Sequence, residues 1–220
     1  MSFGFDNVAE QKKGYLRQAG VQMNAKFVGL TYVANEQWEA LDIELQTEDG
    51  KIFTERTFGP NIDKVFPKPK WAEGKQVGME TREEAYKRVE NDISQKLFYL
   101  ALCFTDSATL KEKVVGCRDL RELVAKVNGV IAQAGDATAI PLNFLTIWKN
   151  SDTKQRSNLI IADRVRWVEP TKFDGEGKVM PATIKLSTYQ ANNNMVEKYP
   201  YNGNTAPAAT PQASTADLPF

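Results

Sequence analysis

The sequence predicts an α+β fold, mainly β, on three observations: alternating strand runs meeting at an Asp-Gly turn, capped amphipathic segments in the middle, and strand character resuming beyond residue 140. The first three runs are VQMNAKFVGLTY, WEALDIELQT and KIFTERTF, with Glu48-Asp49-Gly50 joining the last two. Asp-Gly between alternating runs signals a hairpin, because a primed turn needs positive φ at both central positions. In the middle run Leu41, Ile43, Leu45 and Thr47 point one way, while Trp38, Ala40, Asp42, Glu44 and Gln46 point the other. The predicted sheet thus has a core face and a wet face, and Trp38 opens the wet one.

Residues 7–18 read as a short, weakly helical lead-in to the first strand. Residues 59–78, GPNIDKVFPKPKWAEGKQVG, hold three prolines and show neither helical nor strand period, so a long irregular loop is expected there. Thr81-Arg82-Glu83-Glu84 is a capping box, followed by apolar Tyr86, Val89, Ile93, Leu97, Leu100 and Phe104 at the steps of one buried helix face. Residues 109–115 suggest a short helical turn closed by Gly116. Asp119 to Glu122 repeats the capping arrangement, and Leu123, Val124, Val127 and Ile131 carry that helix to Gly135.

The runs IPLNFLTIWK and NLIIADRVRWVE, residues 140–149 and 158–169, read as strands around a polar loop. Phe144 and Trp148 share a face of the first. In the second, Ala162, Arg164 and Arg166 lie opposite Val165 and Trp167. ATIKLSTYQ, residues 182–190, reads as a last strand. Beyond it the composition turns to Asn, Pro, Ala, Thr and Ser, which cannot bury enough apolar surface to order itself. The expected organisation is one domain over 1–190, with a helical insertion at about 80–135, and a tail over 191–220 ending in Asp217-Leu218-Pro219-Phe220.

The 220 residues suffice for a substantial core, and no apolar run approaches the ~18 residues of a membrane span. The first residues lack a secretory layout, so a cytoplasmic location is expected. Basic and acidic residues balance at 28 each, so any nucleic-acid surface has to be a local patch. Histidine is absent, which removes the commonest general base and metal ligand. Cys103 and Cys117 have no metal-type spacing and read as reduced, buried apolar groups. No catalytic residue, metal or cofactor is expected.

The candidate binding residues fall in three places. Trp38, Phe53 and Arg56 lie on the first hairpin; Trp38 either covers a hydrophobic edge or offers a stacking platform, and the register leaves Phe53 inside or outside. Lys64, Phe66, Lys68, Lys70 and Trp71, with Lys75, form a basic-aromatic stretch, suited to a single-strand surface or to a proline-stiffened connector. Lys149, Lys154, Arg156, Arg164 and Arg166 lie on the later pair of strands and its loop.

Three strands, a helical insertion and further strands is the order of a five-stranded OB barrel, whose second and third strands bind oligonucleotides. On AKFVGLTYVANEQWEALDIELQTEDGKIFTERTF, the later NFLTIWKN and NLIIADRVRWVEP, and the closing ADLPF, the chain resembles bacteriophage single-stranded DNA-binding proteins. Its tip is similar to the terminal peptide of bacterial single-stranded DNA-binding proteins. The tip departs from that peptide in carrying one acid, Asp217, where the bacterial one has several.

The resemblance implies sequence-independent, non-enzymatic binding of single-stranded DNA in replication, recombination or repair, in the host cytoplasm if phage-encoded. It also implies that Asp217, Leu218, Pro219 and Phe220 recruit replication or recombination proteins. The helical insertion exceeds what a minimal barrel needs and suits a partner-binding or homo-oligomer-forming role. Two rivals remain: an OB-like assembly adaptor that holds protein, and a metal-dependent nuclease built on Asp42 and Glu44, for which no third ligand is identifiable.

Overall fold

The structure, a computed structural model, describes residues 14–151 and 156–196, with the backbone alone at 150, 151, 156 and 157. In chain order it runs β1 (Gly20–Ala34), β2 (Glu39–Gln46), β3 (Ile52–Phe58), β4 (Pro69–Ala72) and β5 (Lys75–Met79). Then come α1 (Arg82–Ala101), α2 (Ser107–Lys113), α3 (Leu120–Gln133), β6 (Pro141–Ser151), β7 (Arg156–Ile161), β8 (Val168–Pro170) and α4 (Thr188–Asn192). Six strands form one antiparallel sheet in the order β3-β2-β1-β6-β7, with β8 also on β6, while β4 and β5 make a separate hairpin.

The length of β1 explains how one sheet curls. Its second half pairs with β2 and its first half with β6, and the ladder is irregular between Gln22 and Ala25 and between Phe27 and Gly29. Asn24 sits at φ 52° between the two halves, its amide donating to Asn143 Oδ1. Such irregularities bend a strand and raise its twist. Among the described residues no ladder joins β3 to β7, so the sheet stays open there.

The core lies between the concave sheet face and α1 and α3. Leu41, Ile43 and Leu45 of β2 are buried as the alternation requires, together with Leu142, Phe144 and Ile147 of β6. Ile93, Leu97 and Leu100 of α1 and Val124, Val127 and Ile131 of α3 cover them. Ala40, expected on the wet face, is buried as well. Thr81 and Glu84 form the expected capping box, and Asp119 accepts the Glu122 amide at the start of α3. There Glu122 reaches Arg118 N instead of the cap itself.

Several expectations are corrected. At 48–50 only Gly50 has positive φ, and Thr47 N donates to Lys51 O while Gly50 N donates to Thr47 O. This is a type I turn closed by a left-handed glycine rather than a primed turn. The primed turn is Glu73-Gly74, at φ 49° and 76°, between β4 and β5 in the stretch expected to be irregular. Residues 14–18 are not helical: Leu16 N donates to Ile52 O and Ile52 N to Gly14 O, which adds this segment to the edge of β3.

The run 158–169 is not one strand. β7 and β8 pair with different parts of the same edge of β6, so the chain loops out between them, with Arg164 at φ 59°. Residues 182–187 form no ladder; Thr183 N donates instead to the buried Glu169 carboxylate at 2.7 Å. Ser187 and Gln190 then make a capping box that starts α4.

Candidate nucleic-acid interface

Trp38 is positioned by the turn before it. Asn35 Oδ1 accepts Gln37 N at 2.8 Å and Trp38 N at 3.0 Å, and Asn35 N donates to Trp38 O. This side-chain-to-backbone mimicry of a turn is what Asn supplies well. Phe58 closes β3 opposite Ala40, and its ring meets Trp38 edge-on at 5.4 Å and 81°. Arg56 lies 5.5 Å from the Trp38 ring centre. Its guanidinium forks onto the cross-strand Asp42 at 2.8 and 2.7 Å, which raises the Arg56 pKa and fixes the cation beside the ring.

These rings open onto a groove of about 1000 Å³ between the β1–β2 turn, residues 59–68 and α1. Tyr32, Trp38, Phe58, Ile62 and Phe66 line it with Lys64, Lys68 and Arg88. Asn61 O accepts both Lys64 N and Val65 N, and Lys64 Nζ reaches Gln37 O at 3.3 Å, tying the loop to the turn that holds Trp38. Arg88 of α1 donates to Phe66 O at 3.0 Å and pairs with Glu80, whose carboxylate also accepts Lys68 N at 2.9 Å. Phe66 is nevertheless 83% exposed. An apolar ring left in water beside cations fits a surface that stacks on a partner.

Past Phe58 and Val89 the groove continues as a notch of about 300 Å³ between β3, α1 and the loop after β7. Arg56, Lys96, Lys149 and Arg164 line it against Glu55, Asp92 and Asp163. Cations outnumber acids in both parts. The Lys68 ammonium is pushed below its ordinary pKa, first by burial and then by the positive charges of Arg88, Arg164 and Lys149. Lys68 thus feels the positive charge of three other basic groups where groove and notch meet, with the Asp92 carboxylate acting the other way.

The structure brings Trp38, Arg56, Lys64, Phe66, Lys68, Lys149 and Arg164 to one continuous surface. Phe53 is not part of it. Pairing with Leu45 puts Phe53 on the core face, 4% exposed, with its ring 5.7 Å from that of Phe144. Lys70 is ion-paired with Glu84 at 2.6 Å, and Trp71, 65% exposed, sits on the β4–β5 hairpin outside both parts of the groove. Arg166 turns back to donate to Val168 O. Cys117 is partly exposed rather than buried. The side chains of Lys154 and Arg156, and all of Asp217 to Phe220, lie outside the described residues.

Sequence reasoning missed Tyr32 and Arg88 as binding candidates. Phe58 was legible as an aromatic flanking Arg56. Arg88 was not, because helix periodicity marks only the apolar face. Asp42 is committed to Arg56, and among the described residues no cluster of His, Cys, Asp and Glu could hold a metal. None of the described helices is long and apolar enough to cross a membrane. A separate cleft of about 470 Å³ lies among α1, α2 and α3, with Phe98, Leu110, Val114 and Leu123 in its wall. No family model, curated protein or solved structure matches the chain.

Proposed function

We propose that the chain binds unpaired nucleic acid, single-stranded DNA in the first place, without sequence preference and without catalysis. The observation that carries this reading is the aromatic-cationic groove, in which Trp38, Phe58 and Phe66 lie beside Lys64, Lys68 and Arg88. Every base has a π-face, so rings accept any sequence, while lysine and arginine neutralise phosphates. With cations only modestly in excess of acids in the groove, affinity rests more on stacking than on charge.

The sheet order supports an OB-like barrel in this reading. β3-β2-β1-β6-β7 is the order such a barrel has when opened between its third and fifth strands, with α1 to α3 inserted after the third. The tip Asp217 to Phe220 then serves to recruit replication or recombination proteins. The adaptor reading draws on one observation, the cleft among α1, α2 and α3, which mixes apolar and charged side chains.

A gel-shift at low salt with single-stranded DNA, duplex DNA and single-stranded RNA tests the proposal. Retardation of the single strand ahead of the duplex is the expected result. No retardation of any probe overturns the reading and favours the adaptor.

A further inference from the structure

Three of the basic groups that line the groove and notch differ from Arg56, Arg88 and Lys96 beside them. Arg56, Arg88 and Lys96 are ion-paired with Asp42, Glu80 and Glu55 respectively. The side chains of Lys68, Lys149 and Arg164 make no ion pair among the described residues. They come from three separate elements: the loop before β4, the end of β6 and the loop after β7. The fold therefore brings together like charges that sequence distance keeps apart.

Two features hold them there. Arg88 donates to Phe66 O while Glu80 accepts Lys68 N, which anchors the backbone on both sides of Pro67. Arg164 adopts a left-handed backbone, φ 59°, that a non-glycine residue takes only at a cost. Mutual repulsion at such a junction is relieved by a bound anion. The acids facing the group are Glu80, which accepts Lys68 N and pairs with Arg88, Glu55, which pairs with Lys96, and Asp92 and Asp163 in the notch, of which Asp163 already accepts a hydrogen bond from Gln190.

We propose that Lys68, Lys149 and Arg164 form a phosphodiester subsite that grips the backbone of the strand as it passes from the aromatic groove into the notch between β3 and β7. The inference rests on the single-strand reading and adds a path to it. Bases stack outside on Trp38, Phe58 and Phe66, and the backbone turns inward past Phe58 along α1. The helical insertion thus supplies one wall of the channel.

The test is tryptophan-quenching titration of the full chain with oligo-dT across a salt series, comparing wild type with Lys149→Gln/Arg164→Asn. Asn is chosen because it tolerates positive φ. A control variant, Lys111→Gln/Lys185→Gln, removes the same charge at exposed positions elsewhere. The slope of log Kobs against log salt should fall by about 1.4 in the subsite variant, about 0.7 for each phosphate no longer neutralised, with saturating quench unchanged. The control should keep the wild-type slope. If the subsite variant also keeps that slope, or if the control falls as far, the subsite is wrong and the stacking groove stands. If wild type shows no binding, both readings fall together.

Discussion

Glu55 of β3 accepts the backbone amide of Ile161 of β7 across the opening of the sheet. The same carboxylate accepts Lys96 of α1, and Lys96 also donates to Thr57 Oγ1 at 2.9 Å. Where a ladder would close a barrel, one side chain, 7% exposed, joins two strand edges and a helix. This latch forms part of the floor of the notch.

Glu55→Ala should therefore cost about 3 kcal/mol, because it strands a nearly buried ammonium and a backbone amide. Glu55→Gln, which retains an acceptor for Ile161 N, should cost less than the alanine variant. Urea unfolding checks both. An alanine variant within about 0.5 kcal/mol of wild type, the range of an ordinary surface change, would show that the latch does not hold the seam.

Trp38→Ala should weaken oligo-dT binding by about 1–3 kcal/mol, roughly 5- to 150-fold, with unfolding little changed. Trp71→Ala should leave binding of a short oligonucleotide within about 3-fold of wild type, since that ring lies outside the groove, on the order of the smallest stacking contribution. Titration of both variants with the same short probe separates the two rings.

Glu122 gives a pH-dependent prediction. Hydrogen bonds from Arg118 N, then the Arg118 side chain and Lys126, hold its pKa down to about 2 from 4.5. A depressed carboxylate stabilises the fold above its ordinary pKa and loses that contribution as pH falls towards 2. Glu122→Gln should therefore lower stability at pH 7 and differ progressively less from wild type between pH 4.5 and 2. Urea midpoints across that range measure it; a constant difference would contradict it.

The cysteines should differ in reactivity. Burial pushes the Cys103 thiol up to about 12, while Cys117 is partly exposed. A thiol reagent at neutral pH should modify one cysteine of the native chain and the second only on unfolding. Prompt modification of both would contradict the packing around Cys103.

The legible parts of the fold were those with local signatures. Thr81 and Glu84 mark a helix start by reciprocal capping, and Leu41, Ile43 and Leu45 mark a core face by alternation. The β4–β5 hairpin was hidden because Glu73 is an unusual residue for positive φ and the prolines around it mask alternation. The place of Phe53 depended on register with Leu45, which a one-residue slip would reverse. Residues 182–187 read as a strand because apolar and polar residues alternate, yet Thr183 bonds the Glu169 carboxylate instead of a neighbouring strand.

At the site, Trp38 was legible because an indole on a wet strand face is unusual, and Arg56 because it stands among aromatics in the sequence. The junction of Lys68, Lys149 and Arg164 was not, because its members come from three separate elements of the chain.

The most direct test of the central claim is intrinsic fluorescence during titration of wild type with oligo-dT at low salt. The account predicts saturable quenching that weakens as salt rises and shrinks in Trp38→Ala. Unchanged fluorescence and no binding at low salt would contradict it.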